Sequence, residues 1–112
     1  MSGITTHVLD TSLGKPAAGV HVTLSVRDGD GFRDLGRAVT DSDGRVREFS
    51  PPVSVTAGSY RLSFETAAHF RAGGREAFFD RVQLEFVVGD ASQHYHVPLL
   101  LTPFGYSTYR GS

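Results

Sequence analysis

Val20-His21-Val22-Thr23-Leu24-Ser25-Val26-Arg27 puts Val, Val, Leu and Val on one parity and His, Thr, Ser and Arg on the other. A period of two is the mark of a strand that buries one face. The next residues, Asp28-Gly29-Asp30-Gly31, suit the positive φ of a tight hairpin, so Phe32–Thr40 reads as the returning strand. The same rhythm extends outward in both directions. Ile4–Asp10 is a first strand, followed by a loop punctuated by Gly14 and Pro16. Asp41-Ser42-Asp43-Gly44 turns into a short strand that begins at Arg45 and ends before Pro51-Pro52, neither of which can donate to a ladder. Gly58–Thr66, with Tyr60, Leu62 and Phe64 on one face, Arg81–Val88, Gln93–Leu101 and Tyr106–Tyr109 supply the rest. Ala67–Arg75 is the one helical stretch, stopped by Gly73-Gly74. About eight short strands between turn residues predict an all-β, two-sheet β-sandwich. With no repeat or linker, residues 1–112 are expected to form a single domain.

Composition excludes several classes of function. A formal net charge of -1 with no basic run gives no footprint for nucleic-acid binding. The longest apolar run, Val97–Leu101, is far short of the ~20 residues of a membrane helix. The absence of Cys removes disulfides, thiolate nucleophiles and Cys-based zinc sites together. MSGITTHVLD has no basic start and apolar stretch of a secretory signal, so the cytoplasm is the expected location.

Five histidines carry most of the chemical potential: His7, His21, His69, His94 and His96. Parity sorts them. Tyr95, Val97, Leu99 and Leu101 form the core side of their strand, which turns His94 and His96 outward together with Pro98 and Leu100. In the first strand His7 shares a face with Thr5 and Leu9. A His among apolar groups on an outer face suggests a surface covered by something else, such as another subunit. His21 alternates with Thr and Ser on a polar face and His69 sits in the helix, so both read as ordinary residues. His94-Tyr95-His96 also invites a metal reading, but zinc wants three or four ligands and only two lie on this strand. Asp10 is placed to cap the loop after the first strand. No nucleophile elbow, P-loop or dinucleotide fingerprint is present.

Three segments carry a resemblance that spans nearly the whole chain. HVLDTSLGKPAAGV (residues 7–20), TDSDGR (40–45) and HYHVPLLLTPFGYSTYRGS (94–112) resemble the transthyretin superfamily, and within it the transthyretin-related 5-hydroxyisourate hydrolases. The closing Tyr109-Arg110-Gly111-Ser112 is similar to the hydrolases and differs from the hormone-binding transthyretins. Those transthyretins also carry other residue types at the positions of His7, Arg45 and His96. Phe104, where many relatives have Tyr, and Asp80-Arg81 are the departures, and neither falls on the family's catalytic set.

The resemblance implies a transthyretin-like sandwich assembled as a homotetramer, a dimer of dimers with a central channel. It implies hydrolysis of 5-hydroxyisourate to 2-oxo-4-hydroxy-4-carboxy-5-ureidoimidazoline, with no metal and no organic cofactor. His7, Arg45 and His96 are the implied catalytic residues. His7 and Arg45, with Tyr109, Arg110, Gly111 and Ser112, are the implied substrate contacts. The alternative is a transthyretin-like carrier that binds a small aromatic ligand without turnover.

Overall fold

The computed structural model describes residues 3–112; Met1 and Ser2, the start of the stretch read for a targeting signal, lie outside the described residues. Two sheets form. The first contains β1 (Gly3–Asp10), β2 (Lys15–Pro16), β5 (Arg45–Val46), β8 (His94–Thr102) and β9 (Gly105–Thr108), in the order β2-β1-β8-β9 with β5 also on β1. The second runs β4 (Gly31–Val39), β3 (His21–Asp28), β6 (Gly58–Phe64), β7 (Val82–Val88). Every pairing is antiparallel except β1 with β8. One helix among the described residues, α1 (Thr66–Ala72), connects β6 to β7.

The core is the one parity predicts. Ile4 and Val8 of β1 and Tyr95, Val97, Leu99 and Leu101 of β8 face Val22, Leu24, Tyr60, Leu62, Phe64, Val82, Leu84 and Val88 of the other sheet, with Phe70 of α1 against them. Each fully buried Leu or Phe contributes about 1.5–3 kcal/mol relative to exposure. The alternation in β3 breaks at one point. Leu24 and Ser25 are both buried, opposite the point where β4 carries an extra residue, Leu35, between Asp34 and Gly36, while β3 itself stays in unbroken register with β6. A bulge of this kind bends the strand that carries it, here the edge strand β4.

Most strand ends differ from expectation by a residue or two, and two differences go further. Lys15-Pro16 adds a short strand beside Leu9 and Asp10 where the sequence reads as loop. The helix begins one residue early, at Thr66, and ends at Ala72, because Gly73 and Gly74 fold back with N–H bonds to Phe70 and Arg71.

Candidate active site

The site grows from the outer face of the first sheet. β1 runs between β8 and β5, so His7 has Arg45 as its register partner on one side and Pro98 on the other. Two residues before His7 and on the same face, Thr5 is opposite His96.

Arg45 reaches that position through the Thr40–Arg45 turn. The Asp41 carboxylate accepts the N–H groups of Asp43 and Arg45 at 2.9 and 3.0 Å, and its carbonyl accepts the Gly44 N–H at 2.9 Å. Gly44 adopts φ +77°, and a Cβ there would collide with the Val8 carbonyl oxygen. Its own carbonyl accepts the Val8 N–H at 2.7 Å. Only glycine can press the turn so closely on β1, and that approach lays Arg45 beside His7.

Each histidine of the pair has one ring nitrogen engaged. His7 Nε2 lies 2.8 Å from the Asp43 carbonyl oxygen, which can only accept, so Nε2 carries the proton and neutral His7 keeps a lone pair on Nδ1. His96 Nδ1 lies 2.8 Å from Thr5 Oγ1, and the same oxygen is 2.9 Å from His94 Nε2. Burial first, then the charge of Arg45 and the proximity of His7 and His94, hold His96 below the ordinary imidazole value. His96 therefore favours its neutral form, in which one nitrogen can serve as a base.

A polar depression of about 260 Å³ opens above these groups, lined by Thr5, Arg45, Arg47, His94, His96 and Ser112 among others. The tail enters it by pairing with β8: the Gly111 N–H donates to the His96 carbonyl at 2.8 Å. The same tail covers Pro98, whose carbonyl accepts the Thr108 hydroxyl at 2.7 Å. Pro98, expected to be apolar surface awaiting a partner, is thus covered within its own chain.

His7, Arg45, His96, Gly111 and Ser112 are brought together. Tyr109 and Arg110 are not. Both line a separate, mainly apolar groove of about 250 Å³ between β7 and the tail, with Phe86, Val87 and Tyr95. The Arg110 guanidinium stacks over the Tyr95 ring at 4.4 Å and donates to Gln93 at 2.9 Å. Among the described residues, no group of three or more His, Cys, Asp and Glu side chains is gathered as a metal site. No helix among them is long and apolar enough to cross a membrane.

Thr5 and Arg47 belong to the site and were not singled out from the sequence. Parity puts Thr5 on the His7 face. Its place opposite His96 depends on the parallel β1/β8 register, which joins segments some ninety residues apart.

His69 also has a partner that no sequence pattern announces. It reaches the buried Asp10 carboxylate at 2.9 Å, which Arg75 binds at 2.6 Å. Asp10 does cap its loop, accepting from Ser12 and Leu13, and it anchors the helix as well.

The comparisons with known proteins fit this geometry. The 5-hydroxyisourate hydrolase of Caulobacter vibrioides is 49% identical, with all of both chains covered. The solved 5-hydroxyisourate hydrolase of Klebsiella pneumoniae is 47% identical, with a TM-score of 0.86 over 99% of this chain and 100% of that one. Transthyretin from Sparus aurata superposes with a TM-score of 0.91 over 99% and 97% of the two chains, but at 28% identity. The backbone is common to both groups, so it is the sequence that leans towards the hydrolases. The profile of the HIUase/Transthyretin family matches residues 4–111, and the chain belongs to that family.

Proposed function

We propose that this chain is a 5-hydroxyisourate hydrolase, opening a ring amide of its substrate to give 2-oxo-4-hydroxy-4-carboxy-5-ureidoimidazoline. The observation that carries this reading is the placing of Arg45 beside His7 and, with His96, in one polar depression. Amide hydrolysis needs an activated water, a stabilised oxyanion and a proton for the departing nitrogen. His7 and His96 act as the acid–base pair, each with one ring nitrogen held and the other left for chemistry. Arg45 stays cationic and stabilises charge as it develops on the attacked carbonyl oxygen. Ser112 offers a hydroxyl to the polar edge of the substrate. These residues suffice without a metal or an organic cofactor.

The working unit is a homotetramer, a dimer of dimers. Two features support it: among the described residues β7 and β9 each pair with one strand and so are sheet edges, and Val87 on β7 is 71% exposed. Such edges are surfaces that pair with other chains. Tyr109 and Arg110 sit at this edge groove, and we assign their substrate contacts to action across a subunit boundary. The enzyme works in the cytoplasm.

The test is spectrophotometric. 5-Hydroxyisourate is generated from urate by urate oxidase, and its ultraviolet decay is followed with and without the purified chain. Acceleration that is lost in His96→Ala is expected. A folded tetramer that does not accelerate the decay overturns the hydrolase reading and leaves a ligand carrier.

A further inference from the structure

Thr5 and His96 are register partners across the parallel β1/β8 pair, and both leave the sheet on its outer face. The Thr5 hydroxyl lies 2.8 Å from His96 Nδ1 and 2.9 Å from His94 Nε2, so one oxygen joins two imidazoles. The two rings differ in access to water: His94 is exposed and His96 partly buried.

A hydroxyl has one proton to donate. When Thr5 donates to His94, its oxygen accepts from His96, and the proton of His96 is on Nδ1. When it donates to His96, the His96 proton is on Nε2. The first arrangement leaves Nε2 as a base, and the second makes it an acid. One side chain therefore sets which role His96 can play.

We propose that Thr5 is a positioning residue that passes a proton between His96 Nδ1 and the solvent-facing His94 Nε2, so that His94 is the outer end of a relay. The proposal rests on the hydrolase reading. Its steps balance. Attacking water gives a proton to His96 Nε2 as its oxygen bonds to the substrate carbonyl carbon. The Nδ1 proton of His96 moves to Thr5 Oγ1, and the hydroxyl's own proton moves to His94 Nε2. His96 is then neutral with its proton on Nε2, ready to protonate the departing ring nitrogen. As it does so, His94 returns its proton along the same row and the site is reset.

The surroundings explain why a relay helps. His96 is faced by Arg45 from β5, His7 from β1 and His94 from its own strand, with Ser112 beside it in the depression. A positive charge on His96 is opposed by its burial and by these neighbours. Moving that charge to exposed His94 places it in water, where it costs less.

The test compares the full chain with Thr5→Val, Thr5→Ser and His94→Gln. Valine keeps the branched shape that the strand packs and removes the hydroxyl. Thr5→Val is expected to lower kcat about 10-fold or more with little change in KM. Thr5→Ser restores most of the loss. His94→Gln slows turnover similarly, and added imidazole buffer recovers it, which a purely structural role would not allow. Independently of turnover, the ¹⁵N spectrum of labelled histidine should show His96 moving from one tautomer to a mixture in Thr5→Val. An inactive wild-type chain overturns the hydrolase reading and the relay with it. An active wild type, with full kcat and an unchanged His96 spectrum in Thr5→Val, overturns the relay alone.

Discussion

Gly111 lies against the ring of His96 so closely that a methyl group in place of its α-hydrogen would sit 2.6 Å from His96 Cδ2. The contact is fixed, because the Gly111 N–H also donates to the His96 carbonyl. Gly111→Ala therefore forces either the imidazole or the tail to move. Displacement of a reacting group by about 1 Å costs on the order of 10²-fold in rate. The expected result is a fall in kcat of that order with the melting temperature unchanged, read from the ultraviolet assay and a thermal scan. Wild-type kcat in Gly111→Ala would show that the tail does not hold His96.

Arg45 tests the oxyanion role. Arg45→Gln removes the charge and leaves a shorter side chain with a neutral amide donor, and turnover is expected to fall about 10²–10³-fold, as for loss of an oxyanion donor. Arg45→Lys keeps the charge but not the planar fork, and should recover only part of the loss. If glutamine and lysine are equally slow, geometry rather than charge sets the rate.

The fold was open to reading because the chain alternates wherever one face is buried. β3, β6 and β8 declare their inner faces through Val22 and Leu24, through Tyr60, Leu62 and Phe64, and through Tyr95, Val97, Leu99 and Leu101. The bulge opposite Leu24 and Ser25 escaped because its extra residue, Leu35, fits an ordinary strand pattern, and the lone Gly36 beside it does not fix a register. The site was legible in part. Parity sends His7 and His96 outward, and resemblance supplies Arg45, Gly111 and Ser112. What the sequence does not carry is register between distant strands. The meeting of Thr5 with His96, and of Asp10 with His69 and Arg75, depends on pairings across some sixty to ninety residues. The side to which each tail residue turns is equally hidden: within one chain Tyr109 and Arg110 line a different groove from Ser112.

The lowered value of His96 has a sign that can be checked by pH. A general base must be neutral, and activity fails as the pH falls through the base's own value. The acid limb of kcat/KM is therefore expected below the ordinary imidazole value of about 6.5. Arg45 disfavours the imidazolium, so Arg45→Gln should move the His96 titration back upward. Proton NMR of the His96 ring reads this even where the variant is slow. An unmoved or lowered value would remove Arg45 as a cause.

Asp10 makes the case for stability. Its carboxylate is buried, with side-chain exposure of 1%. Burial alone would push its pKa up. Hydrogen bonds from Arg75, then Ser12, then His69 outweigh that and hold it well below the usual carboxylate range. The cluster ties the end of β1 to α1 and the residues just after it, and Arg75 also lies over the Phe70 ring at 4.9 Å. Asp10→Asn leaves Arg75 without its counter-charge; because the Arg75 side chain is 25% exposed, the cost is expected to fall below the ~3–5 kcal/mol of a fully buried broken pair. The linkage fixes where this shows. A carboxylate lowered by folding contributes its stability above its unfolded value of about 3.9 and loses it as the pH falls through the lower folded value. Urea unfolding at fixed protein concentration should therefore separate wild type from Asp10→Asn widely at pH 7. The gap should narrow steadily below pH ~4. A double variant, Asp10→Asn with Arg75→Met, should regain part of the loss at pH 7, since it no longer strands the guanidinium. A gap that stays constant from neutral to acid would mean that shape, not charge, makes Asp10 matter.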